Sequence, residues 1–120
     1  MSYVDGFVVA VPKNRLDDYK ALAKVAGEVA MELGATGYVE ALGDNLSWGK
    51  VTSFPRAVQA TEDEVVVFSW ILYKDRESKD AVMEKFMVDP RLTECMKNTP
   101  FDMQRMVHGG FEAFVEFGTP

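Results

Sequence analysis

Two residues of this chain invite a chemical reading, His108 and Glu40. His108 is the only histidine, so any mechanism needing an imidazole, as a haem ligand or a general base, must pass through it. It precedes Gly109-Gly110 in a stretch that reads as a strand. Paired glycines there suggest a β-bulge, a device that re-aims neighbouring side chains. The plainer reading, favoured here, is a strand residue with a satisfied or solvent-facing ring. Glu40 lies inside an otherwise apolar strand, where burial would raise its pKa toward the range of a general base. Its plainer alternatives are an outward-facing side chain or the partner of a buried arginine. Arg105, on the last strand, is the candidate for that partner. In the expected sheet order 4-1-3-2, however, the two strands are opposite edges. The pair could then meet only across a dimer interface, fixing register more than adding stability.

Trp48, Phe54, Trp70, Met83, Phe86, Met87 and Phe101 supply bulky, adaptable apolar surface. Met and aromatic side chains on helical faces usually fill a core. The sharper reading is an apolar pocket between sheet and helices, roofed by the 46–54 loop and carrying a few fixed polar groups. Tyr38, Glu40, Ser69, Arg105 and His108 are the polar residues to look for there, with Trp48 and Trp70 as the aromatic ones. Other chemistries lack their signatures. No G-x-S-x-G elbow supports a serine triad. Gly34-Ala35-Thr36-Gly37 lacks the spacing of a phosphate-binding loop, and Gly109-Gly110 lies inside a strand rather than before a helix. One histidine and one cysteine, Cys95, leave no metal-ligand cluster, and no cofactor is implied.

Composition narrows the classes further. The 120 residues suit one domain, 1–120, large enough to bury a core without staples. At 48% hydrophobic and 27% charged, the chain is near the globular average. A lone cysteine suits a reducing, cytoplasmic setting. The opening MSYVDGFVVAVP has no basic stretch, carries Asp5 and breaks at Pro12, so it does not read as a signal peptide. No apolar run approaches the about 20 residues of a membrane span. A net charge of −6, with 13 basic residues scattered among 19 acidic ones, argues against nucleic acid.

These candidates need elements to position them. Residues 3–11 read as a strand ended by Pro12. Asn14 offers an N-cap, with Asp17 in the first turn. Leu16, Tyr19, Leu22, Ala23, Ala26, Val29, Ala30 and Leu33 then form one helical stripe, closed by Gly34. A strand follows over Thr36–Leu42, ending at Gly43-Asp44-Asn45. Residues 46–63 are hard to read, because a structureless loop of that length is unusual in a compact domain. Lys50–Phe54 and Ala57–Ala60 are therefore expected to be partly extended, and residues 62–64 to form an exposed turn. Residues 65–73 are the clearest strand. Asp75 or Ser78 can cap the next helix, which Asp89-Pro90 ends. Arg91–Lys97 reads as a short extra turn, and Gln104–Val115 as the last strand. The order β-α-β-β-α-β is the ferredoxin-like pattern, an α+β antiparallel sheet with two helices on one face.

Such a sheet with one wet face should alternate apolar and polar residues. These strands do not. Phe7, Val9 and Val11 oppose Val4, Val8 and Ala10, and Val65, Val67 and Ile71 oppose Val66, Phe68, Trp70 and Leu72. Two helices can cover only one face, and an exposed apolar sheet exceeds what monomers tolerate. The expected solution is a homodimer packed through the second face, burying about 1,600 Å² or more. The competing solution is that the 46–63 segment folds over that face.

The opening YVDGFVVAVP, GKVTSFPRAV (Gly49–Val58), VVFSWI (Val66–Ile71), the DPR turn (Asp89–Arg91) and PFD…RM..GGFE (Pro100–Glu112) resemble the YbaA-like family of uncharacterised bacterial proteins. The resemblance spans nearly the whole chain. It implies the dimeric α/β-barrel superfamily, in which two ferredoxin-like sheets pack face to face. The chain departs from the family pattern at Ala41, where cysteine is common, at Trp48, where a Pro-Asp pair is usual, and at His108, where tyrosine is common. A mechanism relying on those usual residues would be in doubt here. The superfamily holds monooxygenases, stress-response proteins and ligand-sensing domains, so fold alone does not select a function. The expected function is that of a homodimer binding a small apolar molecule between sheet and helices. The alternatives are a cofactor-independent or haem-using monooxygenase and a structural or partner-binding dimer without a pocket.

Overall fold

The computed structural model describes residues 1–118. Four strands, β1 (Tyr3–Pro12), β2 (Gly37–Leu42), β3 (Glu64–Tyr73) and β4 (Val107–Glu112), form one antiparallel sheet in the order β2-β3-β1-β4. Helix α1 (Leu16–Leu33) joins β1 to β2, and α3 (Arg76–Phe86) follows β3. Two short helices, α2 (Phe54–Ala57) and α4 (Pro90–Cys95), complete the chain's helical elements of four residues or more among those described. This is the ferredoxin-like α+β order that the sequence implies. No helix among the described residues is long and apolar enough to cross a membrane.

The central pair β1–β3 runs in register from Tyr3 opposite Tyr73 to Pro12 opposite Glu64. Directly paired residues share a face. One face therefore carries Phe7, Val9, Val11, Val67, Ile71 and Tyr73, and it packs against α1 and α3 through Tyr19, Ala30 and Val82. Val11, Val29 and Tyr73 are fully buried there. Burial of each such side chain contributes about 1.5–3 kcal/mol.

Local chemistry sets the helix ends. Gly34 takes φ 123°, open to glycine, and closes α1 with its N–H bonded to Ala30 and Met31 carbonyls. Asp75 caps α3 by accepting the Ser78 N–H at 2.8 Å. Asp89 caps α4 and Pro90 stands in its first turn. The expected Asn14 cap is not formed. Residues Lys13–Arg15 make a 3₁₀ turn, the helix starts at Leu16, and no side chain caps it. The Lys13 N–H is drawn back to Asp63 O at 2.8 Å, which tightens the exit from β1.

The opposite face carries Val4, Val8, Ala10, Val66, Phe68, Trp70, Leu72, Val39, Val107 and Phe111. Contrary to expectation, residues 46–63 add no strand. Ser53 accepts the Arg56 N–H at 3.1 Å and starts α2. The Arg56 side chain then donates to the carbonyls of Trp48 (2.7 Å) and Gly49 (2.9 Å). A guanidinium thus satisfies backbone that a sheet ladder would otherwise have paired. Just beyond, Val58 is fully buried against Ala10 and Val66, covering one end of this face. The rest stays open: Phe68 is 40%, Val107 46% and Phe111 64% exposed.

The last strand is also shorter than expected, and it has no bulge. Met103–Arg105 form a 3₁₀ turn, and Gly109 and Gly110 pair regularly with Gly6 and Asp5. The glycine at 110 answers to packing, since a Cβ there would run into the Tyr3 ring, with Cζ at 2.8 Å.

Arg105 holds the covering segment in place. Its guanidinium donates to Glu64 Oε2 at 2.6 Å, Glu64 Oε1 and Gln59 O at 2.9 Å, and Asp102 Oδ2 at 3.0 Å. The Arg105 bonds to Glu64, aided by the Thr61 N–H at 2.8 Å, hold the Glu64 carboxyl at about 2, below its ordinary 4.5. The stabilisation is complete above the unfolded value and is lost as pH falls through the folded one. Glu64→Gln should cost about 1.5–2 kcal/mol at neutral pH, the lower part of the range for a charged hydrogen bond because Asp102 stays on Arg105. In urea titrations the gap to wild type should close between pH 4.5 and about 2. A gap constant over that range would contradict the assignment.

Candidate functional site

Strand β2 is an edge, bonded only to β3, so its outer flank lies open beside α1. Tyr38 and Glu40 pair with Ile71 and Ser69 and so face the helices. Tyr19, in the first turns of α1, reaches the same place. Its hydroxyl donates to Glu40 Oε1 at 2.6 Å, and the Tyr38 hydroxyl donates to Oε2, also at 2.6 Å. Burial, reinforced by the Glu40 charge, pushes both phenols far above their ordinary 10. Both therefore stay protonated donors. The Tyr19 ring is fixed edge-on to Phe101 at 5.8 Å between centroids.

This trio lies along a groove of about 670 Å³ between α1 and β2. Leu16, Ala23, Met31 and Val67 give it apolar walls, and the exposed Lys20, Lys24 and Glu28 stand at its rim. Gly27 also lines it. A Cβ at Gly27 would stand 3.0 Å from Cδ1 and 3.2 Å from Cε1 of Tyr38. A tyrosine tethered through its hydroxyl to Glu40 cannot easily swing aside.

The remaining candidate residues are dispersed. Ser69 is buried beside Glu40 on the same face. Arg105 is engaged within its own chain by Glu64 and Asp102. His108 is exposed on β4, stacked on Phe7 at 6.2 Å. Since β4 and β2 are opposite edges, Glu40 and His108 do not meet within a chain. Trp70 lies on the open face, edge-on to Phe68 at 5.4 Å. Trp48 is half exposed on the loop, with the Arg56 guanidinium 4.6 Å above its ring. The 46–54 loop does not roof the groove. Its Leu46 and Phe54 border a second hollow of about 310 Å³ with Val66 and Phe68 of the open face.

Three further residues matter here, and none of them has a local signal for its role in the sequence. Tyr19 was one member of an apolar stripe, and its role as donor is visible only once β2 is placed beneath α1. Gly27 carried no local signal, being a glycine inside a helix. Asp5 is buried on the helix face, accepts the Tyr73 hydroxyl at 3.1 Å and lies 4.0 Å from Lys79 Nζ. Burial raises its pKa, partly offset by Lys79 and Tyr73.

The family described as "Protein of unknown function (DUF1428)" matches residues 2–103. The chain belongs to the DUF1428 family. Tyr19, Gly27, Tyr38 and Glu40 all lie within that match. The uncharacterized protein YbaA of Escherichia coli K12 is 47% identical over 116 residues, covering 97% of this chain and 99% of the relative. Among solved structures, a dimeric ferredoxin-like protein from an uncultured marine organism superposes with a TM-score of 0.63 at 14% identity, covering 98% of both chains. A dimeric ferredoxin-like protein of unknown function from Jannaschia sp. CCS1 gives 0.57 at 15% identity, covering 92% of this chain and 99% of the other. At such identities the likeness carries the fold alone.

The tethered Tyr38 ring sets the sign of a substitution at Gly27. Alanine gains up to about 1 kcal/mol of helix propensity over glycine, while overpacking costs about 1–3 kcal/mol. Gly27→Ala should therefore destabilise the wild type by about 1 kcal/mol. In a Tyr38→Ala background it should stabilise instead, as read by thermal or urea denaturation. A stabilising effect in both backgrounds would show that the ring yields freely.

Proposed function

We propose that this DUF1428 protein is a homodimer that binds a small, largely apolar molecule in the groove between α1 and β2. The observation that carries the binding reading is the Glu40 carboxylate, held by two phenols in an apolar groove open to solvent. A few fixed polar groups among apolar walls are the usual composition of a small-molecule site. A structural dimer would not need a carboxylate fixed by two phenols along an open groove, and that feature favours the binding reading. The catalytic alternative draws no support from a joint site within one chain, because Glu40 and His108 occupy opposite edges of the sheet.

The dimer reading rests on the open face. Phe68, Trp70, Val39, Val107 and Phe111 form an apolar surface that the Val58 segment covers at one end only. The two solved neighbours named above are described as dimeric. Packing two such faces together buries them in both copies and leaves the groove, on the helix side, free.

Light scattering on the purified protein should give twice the 13.4 kDa chain mass. Phe68→Glu should give the single-chain mass with unchanged far-ultraviolet circular dichroism. A wild-type monomer at micromolar concentration would remove the dimer. For the site, native mass spectrometry should find a non-covalent small-molecule adduct, or take one up from a cell extract. A bare dimer in both cases would remove the binding reading.

A further inference from the structure

The chemistry of the groove specifies more than an apolar occupant. Tyr19 and Tyr38 each own a single O–H, and both are spent on Glu40, one on each carboxylate oxygen. What these three side chains can still offer a ligand is therefore lone pairs only, two on phenolic oxygens and the remainder on the carboxylate, together with one negative charge. Neither Leu16, Ala23, Met31 nor Val67 adds a side-chain donor. We propose that this groove selects molecules whose inner end is a hydrogen-bond donor, an alkylammonium above all, and rejects those whose inner end is a carboxylate. The proposal rests on the groove being the binding site.

Two further features bear on the choice. The partly exposed Tyr38 presents aromatic surface, against which an ammonium group is favoured. The rim lysines, Lys20 and Lys24, pull the other way and would attract an anion. They are exposed, however, and their charges are screened by water and salt. Glu40 is partly buried and makes charge-assisted bonds, so its preference dominates at the inner wall. The rim instead permits an acidic or neutral outer end.

The test titrates ¹⁵N-labelled full-length protein with n-hexylamine and with hexanoate at neutral pH, two probes of equal chain length and opposite charge. Hexylammonium should shift the amides of α1 and β2 and bind about tenfold more tightly than hexanoate, the value of one charge-assisted hydrogen bond. In Glu40→Gln the preference should fall below about twofold, and in Lys20→Gln/Lys24→Gln it should persist or grow. Equal or tighter binding of hexanoate at the same amides would overturn the donor selectivity and leave the groove as a site. No shift at those amides with either probe would overturn the groove reading, and the selectivity with it. A preference that survives Glu40→Gln would overturn the role given to Glu40. The wild-type comparison decides the selectivity even if a variant fails to fold.

Discussion

The pairing of β1 with β3 is the constraint on which the molecule depends. Both strands are ten residues long, they pair along their whole length at the centre of the sheet, and both are apolar on both faces. A sheet built around such a pair needs covering twice. Helices α1 and α3 supply one cover, and Val11, Val29, Tyr73 and Val82 show how closely it fits. The other cover is incomplete within one chain. Residues 54–60 reach Ala10 and Val66, and Arg105 fastens them there through Glu64 and Gln59.

Placement of the groove follows from the same arrangement. With β1 and β3 at the centre, β2 is left as a short edge, and α1 passes beside it. An edge strand next to a helix leaves a slot whose polar groups need partners. Glu40 faces the slot, and Tyr19 and Tyr38 close on it from the helix and from the strand itself. Gly27 lets the helix come close to the Tyr38 ring, where a Cβ would stand 3.0 Å from Cδ1. Architecture and candidate chemistry are thus two results of one sheet order.

Much of this was legible in the sequence because it follows from local rules. The runs Phe7–Val11 and Val65–Tyr73 declare strands and two apolar faces, the Leu16–Leu33 stripe declares a helix, and Gly34 and Asp75 mark ends where caps form. Other features depend on contacts distant in sequence. Nothing near Ser53 or Arg56 says that Arg56 will turn back to the carbonyls of Trp48 and Gly49, so the expected extended segments became a loop and a short helix. Arg105 read as a strand residue and a partner for Glu40 across the dimer interface, but it sits in a 3₁₀ turn facing Glu64 of its own chain, 41 residues away. The Gly109-Gly110 pair read as a bulge because glycine in a strand usually marks one, whereas Gly110 makes room for Tyr3. At the candidate site, Glu40 and Tyr38 were identified, being two residues apart on one strand. Tyr19 was not, because only the tertiary fold brings it to Glu40.

The central claim is that the open face is covered by a second copy of the chain. The most direct measurement is an isotope-filtered NOE experiment on a mixture of labelled and unlabelled protein, which reports contacts between copies only. The account predicts intermolecular contacts at Phe68, Trp70 and Phe111, and none along α1 beside Glu40. Intermolecular contacts confined to α1 or α3, or none at all, would contradict it.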